Sequence, residues 1–151
     1  MIAYAPYLIL LLPLLAAVSI RLFLYPFPRI SVSVSTLACL GSFMGSMTLL
    51  FWGSSLGQGI VPALPWIEWG GFRANFGILG DPLARGMAAL VSGVAFLVHL
   101  YSIGHLEKDP CRSRFFAELS LFVFSMLGIV LADNLISMFI FWELVGWSTA
   151  F

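Results

Sequence analysis

Glu143 is the residue of this chain best placed for chemistry inside a membrane, because it lies within the apolar stretch FIFWELVGW, residues 139–147. A carboxyl group held by a helix far from water is a candidate for taking up and releasing a proton. His99, Glu118 and Asp133 are further titratable candidates. The sequence has no Cys-x-x-Cys pair, Cys/His cluster or glycine-rich phosphate loop. It therefore predicts proton transfer, with no metal or cofactor on this chain and any redox step on another one.

The composition indicates the class of protein that must position these groups. Of the 151 residues, 61% are hydrophobic and only 9% are charged, with a mean hydropathy of +1.04. A soluble domain of this length needs more polar surface. The formal net charge of zero gives no basis for a nucleic-acid partner. The sequence therefore predicts an all-α polytopic membrane protein whose surroundings are the lipid bilayer.

Five apolar segments, each near the ~20 residues that cross a bilayer as a helix, divide the chain. Residues 1–64 hold the first two, near residues 2–24 and 30–52, and the start of an external loop. Residues 65–151 hold helices three to five. A signal peptide is the alternative for the first segment, although no Lys or Arg precedes it. In the second segment, Gly41 and Gly45 form a Gly-x-x-x-Gly pair, which suits close helix packing.

The connection between the second and third segments is rich in glycine and aromatic residues. Gly70-Gly71 separates two short runs, LPWIEW and FRANFGIL, and predicts a two-residue β-hairpin turn. An irregular aromatic loop is the alternative interpretation. The tryptophans of this loop suit a membrane–water interface.

The helix starts are predicted from Asp and Pro residues. Asp81 as N-cap and Pro82 as first helical residue begin helix three. Asp109-Pro110 repeats the signal before a helix four that runs from about residue 111. Asp133 is predicted to cap helix five, which would begin at Asn134.

Orientation follows from the distribution of positive charge between the two ends of the helices. Five spans place five basic residues on one side and two on the other. Because positive loops stay in the cytoplasm or its equivalent, the N-terminus, the Trp-rich loop and Asp133 are predicted to face outward. The expected location is an energy-coupling membrane, such as the bacterial inner membrane. The inner group is Arg21, Arg29, Lys108, Arg112 and Arg114, and the outer group is Arg73 and Arg85.

The depth of Glu143 leaves three hypotheses open. Nine residues past Asn134 is roughly 14 Å of helical rise, which is close to the middle of a hydrocarbon layer about 30 Å thick. Glu143 can be protonated and hydrogen-bonded within the bundle. It can pair with a cation on a neighbouring helix, or it can be a proton-relay group.

The other candidates have structural alternatives. His99 is of a type that titrates near neutral pH, but a hydrogen-bonded packing role competes with a proton-path role. Glu118 is spaced to pair with Arg114, which favours a structural ion pair over a proton-path role. Asp133 is interpreted first as a helix cap and second as a proton-exit group.

Three motifs in order, FLVHLYSIGHLEKDP, SRFFAELSLFVFSM and VLADNLISMFIFWELVGW, resemble the N-terminal part of the antiporter-like chain 5 or L subunit of respiratory complex I. The resemblance covers residues 65–147. It implies a proton-translocating subunit that is driven by redox chemistry elsewhere and assembled with other membrane subunits. It also implies that Glu143 is the family's fifth-helix glutamate, which pairs with a lysine on a later helix. Cation/proton antiporters, membrane-bound hydrogenases and inorganic-carbon transporters share the pattern and remain alternatives.

The chain departs from the family pattern in two places. Phe141 and Leu144 replace two glycines beside the acid and add bulk there. No basic residue follows Asp133, so the lysine partner is expected on C-terminal helices beyond Phe151. The sequence is interpreted as a truncated or split product, or an incomplete reading frame. A purely structural packing role is the third hypothesis.

Overall fold

The computed structural model describes residues 5–52, 64–69, 72–78 and 80–150. Helices, their connecting turns and one two-stranded sheet make up these residues, as the predicted all-α class with a hairpin requires. The elements are α1 (Ala5–Ser19, continued by a π-helical turn, Ile20–Leu24), α2 (Pro28–Trp52), β1 (Leu64–Trp69), β2 (Phe72–Phe76), α3 (Pro82–His105), α4 (Arg112–Leu131) and α5 (Leu135–Ala150).

Within these described ranges, four helices are long and apolar enough to cross a membrane, and α5 is a shorter apolar helix of 16 residues. The polytopic class is therefore confirmed, with the fifth predicted span the shortest. Helix α4 packs against α1, α2, α3 and α5 and is the centre of the bundle. Half of its span is buried, against about a third for the other three.

The two ends of the bundle differ in charge. At one end, Ser31 donates a hydrogen bond to the carbonyl of Leu24 at 2.8 Å and joins α1 to α2. Arg112 donates to the carbonyl of Ile103 at 2.9 Å, which caps the end of α3 with a cation. We call this the basic end, because it carries the inner group of Arg and Lys residues. At the other end, the hairpin end, Ile78 pairs with Ala132 in an isolated β-bridge.

The Gly-x-x-x-Gly pair of α2 packs against α1. A Cβ atom at Gly45 would lie 2.7 Å from Cγ1 of Ile9, and one at Gly41 would lie 3.2 Å from Cδ1 of Leu12. No side chain fits at Gly45 without moving Ile9. The small residues therefore let the first two helices approach closely, as helices do in lipid.

The hairpin forms between α2 and α3 as predicted. Strands β1 and β2 are antiparallel, and Trp69 pairs with Phe72, which leaves two residues for the connection. The register shifts between Pro65 and Ile67, where the proline has no N–H to donate. The predicted turn residues, Gly70 and Gly71, lie outside the described residues.

The start of α3 is the predicted one, and that of α4 differs by one residue. The Asp81 carboxylate accepts a hydrogen bond from the Ala84 N–H at 2.8 Å, with Pro82 first in the helix. By contrast, α4 begins at Arg112, and Asp109 accepts instead from the N–H of Cys111, at 2.7 Å. The Asp109 side chain therefore stabilises the turn before α4 rather than the helix itself.

The predicted cap of α5 is wrong. The side chain of Asn134, not Asp133, accepts from the N–H of Ser137, at 2.8 Å. A capping side chain reaches the N–H three residues ahead, and the helix begins at Leu135. Asp133 instead accepts from the side-chain amide of Asn134 at 2.7 Å. It supports the cap from one residue away.

Candidate functional site

The outward face of α5 carries Glu143. The buried side of this helix, at Ser137, Phe141 and Ser148, packs on the bundle. Glu143 is exposed, and Trp142 and Trp147 beside it are 64% and 61% exposed. The carboxyl group therefore points away from the helices that the structure describes.

Phe141 fixes the rotation of this face. Its ring packs on Phe124 of α4, with ring centroids 5.4 Å apart and planes at 74°. A Cβ atom at Gly128 of α4 would overlap the same ring. The bulk that Phe141 adds beside the acid is therefore accommodated by a glycine on the facing helix. With Phe141 facing inward, Glu143 two residues further on must face outward, since two residues of α-helix turn the chain by about 200°.

The contacts of Glu143 within the described part of the chain bear on its three hypotheses. No hydrogen bond or ion pair joins Glu143 to any residue in the described ranges. The described helices therefore supply no hydrogen-bond partner for the acid, and a bond to a residue outside them stays a prediction. The hypotheses of a partner on another helix and of a proton-relay group stay open.

One turn from the acid, the surface of α5 leaves room for a neighbouring helix. A Cβ atom at Gly146 would meet nothing within 4 Å, and Gly146 is exposed three positions from Glu143. Residues three apart share a helix face. A neighbouring helix could therefore approach the α5 backbone beside the carboxyl group.

His99 lies elsewhere, buried where α2, α3 and α4 meet, with 0% of its surface exposed. Its Nε2 atom is 2.9 Å from the hydroxyl of Ser35 on α2. That hydroxyl is 2.6 Å from the hydroxyl of Ser120 on α4 and 3.2 Å from the carbonyl oxygen of Phe116. The Phe116 ring packs at 5.9 Å, centroid to centroid, from the imidazole. The side chains of His99, Ser35 and Ser120 form one hydrogen-bonded group, which we call the His99 cluster.

Sequence reasoning identified His99 but missed Ser35 and Ser120. A signal was present: α2 carries serines at positions 31, 35, 42 and 46, which repeat at helical spacing and are all buried. A buried polar stripe predicts a partner on the facing helix. Only the packing shows that the partner of Ser35 is His99.

Glu118 forms the predicted ion pair. Its carboxylate accepts from Nε of Arg114 at 2.8 Å, and the two side chains are 27% and 41% exposed. Glu118 also lines a groove between α1, α4 and α5, together with Arg21 and Trp147. Glu118 and Glu143 thus lie on different helices, and neither a hydrogen bond nor an ion pair joins them.

Candidate metal ligands are dispersed over the described part of the chain. In residues 5–52, 64–69, 72–78 and 80–150, His, Cys, Asp and Glu side chains nowhere gather in a group of three that could hold an ion. The chemistry open to this arrangement is proton transfer at a carboxyl group and at an imidazole.

Known proteins are similar in sequence to this chain. Residues 66–116 match the family model of NADH-Ubiquinone oxidoreductase (complex I), chain 5 N-terminus. The NAD(P)H-quinone oxidoreductase chain 5 of Picosynechococcus sp. is 36% identical over 147 residues, which cover 93% of this chain and 22% of that protein. The chloroplastic NAD(P)H-quinone oxidoreductase subunit 5 of Marchantia polymorpha is 38% identical over 146 residues, which cover 90% of this chain and 21% of that protein.

A shorter similarity covers a third relative. The NADH-quinone oxidoreductase subunit L of Mycobacterium tuberculosis is 46% identical over 81 residues, covering 54% of this chain and 13% of that protein. The chain thus spans between 13% and 22% of the length of these relatives. The resemblance that the three motifs indicate is confirmed.

Proposed function

This chain is related to the N-terminal part of the antiporter-like chain 5 and subunit L proteins of complex I, and we propose that it is the N-terminal portion of a proton-translocating subunit of an NADH–quinone oxidoreductase. Its role is to hold a protonatable group in the membrane while quinone reduction takes place elsewhere in the complex. Its partners are other membrane subunits and later helices that carry a lysine. The related proteins we describe are all named as quinone oxidoreductase subunits, which favours this function over a cation/proton antiporter.

The observation that carries the proposal is the outward orientation of Glu143. An acid at mid-membrane depth that faces lipid costs about 2.5–3.5 kcal/mol on insertion scales. A helix docked beside Gly146 would remove the carboxyl group from lipid and supply a cation. A carboxylate near a lysine favours the charged lysine, and separation of the pair favours proton release. Movement of the docked helix can then drive proton transfer with no cofactor on this chain.

The remaining expectations belong to the same proposal. The chain resides in an energy-coupling membrane, as in the bacterial inner membrane, with its N-terminus and hairpin end outward. The basic end then faces the side where positive charge is retained. Glu118, Asp133 and His99 are secondary candidates for the proton path.

Substitution of the acid tests the proposal. Glu143→Gln keeps the shape of the side chain and removes its charge and exchangeable carboxyl proton. In membranes that contain the whole assembly, we expect Glu143→Gln to lower the number of protons moved per quinone reduced. The measurement is NADH-driven acidification of inverted vesicles alongside the rate of NADH oxidation.

Glu107→Gln is the matched control. Glu107 is an exposed acid in the turn between α3 and α4, outside both helices, and its substitution should leave the ratio unchanged. Unchanged pumping in Glu143→Gln would refute the role of the acid. An equal loss in both variants would point to damaged assembly and would also count against a specific role for Glu143.

A further inference from the structure

The hydrogen bonds of the His99 cluster assign a proton to one nitrogen of the imidazole. Nδ1 is 2.8 Å from the carbonyl oxygen of Ala95. A carbonyl only accepts, so Nδ1 carries a proton in every state of the ring. Nε2, which faces Ser35, is therefore the atom at which the ring gains or loses its exchangeable proton.

The cluster is hydrogen-bonded in both protonation states. With the ring neutral, Ser35 donates to Nε2 and accepts from Ser120. With the ring charged, Nε2 donates to Ser35, and the Ser35 proton can turn to the carbonyl of Phe116, 3.2 Å away. With the ring neutral, Ser120 must donate across the 2.6 Å contact, because the single Ser35 proton is used on Nε2; with the ring charged, either hydroxyl can donate. Ser35 needs the Phe116 carbonyl as an acceptor only when the ring is charged. A histidine that was always neutral and served only for packing would not need this second acceptor beside Ser35.

We propose that the His99 cluster is a proton-loading site, at which His99 takes up and releases a proton through Ser35 and Ser120. In loading, the O–H bond of Ser35 breaks as an N–H bond forms at Nε2. In the same concerted transfer the Ser120 proton passes to Ser35, and Ser120 takes a proton from hydronium, which becomes water, so the site gains one proton and one positive charge. Unloading reverses these steps. Because Nδ1 is hydrogen-bonded to a carbonyl, which cannot accept a transferred proton, the proton leaves His99 by the route through which it entered. The site therefore stores charge and does not conduct it onward.

The location of the cluster fits a store of charge. Ser35, His99 and Ser120 lie roughly 9–12 Å of helical rise from the ends of α2, α3 and α4 at the basic end. The other ionisable side chains on the packed helices near this level are the thiol of Cys39, the phenol of Tyr101, which is 70% exposed, and Glu118, whose carboxylate is bound to Arg114. A proton on His99 therefore changes the charge among three helices with no neutralising carboxylate among its hydrogen-bond partners. The coupling of this change to translocation rests on the proposed function above.

Proton exchange at the ring tests the site without any activity assay. His105→Gln leaves His99 as the single histidine, because the chain has two. In that background, the full chain carries ¹⁵N-histidine in lipid vesicles, and the ring nitrogen signals report tautomer and charge. We expect a neutral ring with its proton on Nδ1 and a charged ring at lower pH. A ring that stays neutral at every pH at which the chain remains folded would overturn the proposal.

Ser35→Ala breaks the route without altering the ring. Since positioned proton-transfer groups contribute about 10²–10⁴-fold to rates, we expect exchange at Nε2 to slow by at least about tenfold. Ser42→Ala is the control, because Ser42 is equally buried on α2 and donates to the carbonyl of Ile9 instead. Equal exchange rates in Ser35→Ala and Ser42→Ala would contradict the assigned route.

The same variants in the whole assembly separate this inference from the proposed function. We expect Ser35→Ala and His99→Gln to lower the protons moved per quinone reduced, with Ser42→Ala unchanged. A loss in Glu143→Gln with full pumping in Ser35→Ala and His99→Gln refutes the coupling of His99 and leaves the proposed function standing. Full pumping in all of them refutes both. Should His99→Gln fail to assemble, the smaller change at Ser35 decides.

Discussion

The contact between Gly128 and Phe141 gives the most direct test of how α5 is positioned. A Cβ atom built at Gly128 would overlap three atoms of the Phe141 ring: Cγ, Cδ1 and Cε1. Cγ is bonded directly to Cβ, so rotation of the ring cannot clear the overlap. Gly128→Ala must therefore move α5 away from α4 or change the rotamer of Phe141, and either change displaces the face that carries Glu143.

The expected cost follows from the packing. Extra methyl groups in a well-packed interior cost about 1–3 kcal/mol, while replacement of a helical glycine by alanine gains roughly 0.5–1 kcal/mol from the helix backbone. Gly104→Ala in α3 isolates the second effect, since a Cβ there meets nothing within 4 Å. We expect Gly128→Ala to be less stable than Gly104→Ala by about 1–3 kcal/mol, or roughly 5- to 150-fold in the unfolding constant.

A double-mutant cycle decides whether Phe141 is the cause. Phe141→Ala alone should cost roughly 3–5 kcal/mol, but it removes the ring that the new methyl group would strike. In that background, Gly128→Ala should be no worse than Gly104→Ala, a coupling on the order of 1–3 kcal/mol. The measurement is equilibrium unfolding of the full chain in mixed micelles, followed by circular dichroism. Equal costs of Gly128→Ala with and without Phe141 would refute the packing argument.

Three further outcomes follow from the local geometry. Asn134→Ala should destabilise the start of α5 by about 0.5–2 kcal/mol and Asp133→Ala by less, since of these two side chains Asn134 is the one that accepts from a first-turn N–H. Hydrogen exchange of the first turn of α5 measures both effects, and a larger effect at Asp133 would contradict the assigned cap. Glu118→Gln should leave the unfolding midpoint nearly unchanged, because its ion pair with Arg114 is partly exposed; a marked loss in micelle unfolding would show that the pair stabilises the fold more than an exposed ion pair does. Gly45→Leu should weaken the contact of α2 with α1 by about 1–3 kcal/mol or more, because no side chain fits there; an unchanged unfolding midpoint would argue against the close approach.

Phe141 illustrates how far the sequence could predict the packing. The sequence motif predicted that Phe141 adds bulk beside Glu143, and this prediction of side-chain size was correct. It could not show that Gly128, thirteen positions earlier, provides the space on the facing helix. The volume of a side chain is known from its residue type. The space available for it depends on which helix lies opposite.

The helix caps make the same point at shorter range. Asp81 with Pro82 was predicted correctly, because the proline fixes the first helical position. At Asp133-Asn134, two adjacent residues could each cap α5, and neither propensity nor spacing separates them. In the structure, Asn134 is the residue that caps α5. It lies two residues after Ala132, where the chain leaves α4 and forms a β-bridge with Ile78.

The sequence by itself determined the membrane class, the order of the helices, the hairpin and the family resemblance, because hydrophobic length, turn residues and ordered motifs are local properties of the chain. It also singled out Glu143, since an acid in an apolar helix is visible without any structure. Tertiary structure alone decided that Glu143 faces away from the bundle while His99 lies buried against Ser35 and Ser120. The physical reason is that the direction of a side chain depends on the rotation of its helix against its neighbours. That rotation is set by contacts between residues far apart in sequence, such as the packing of Phe141 on α4.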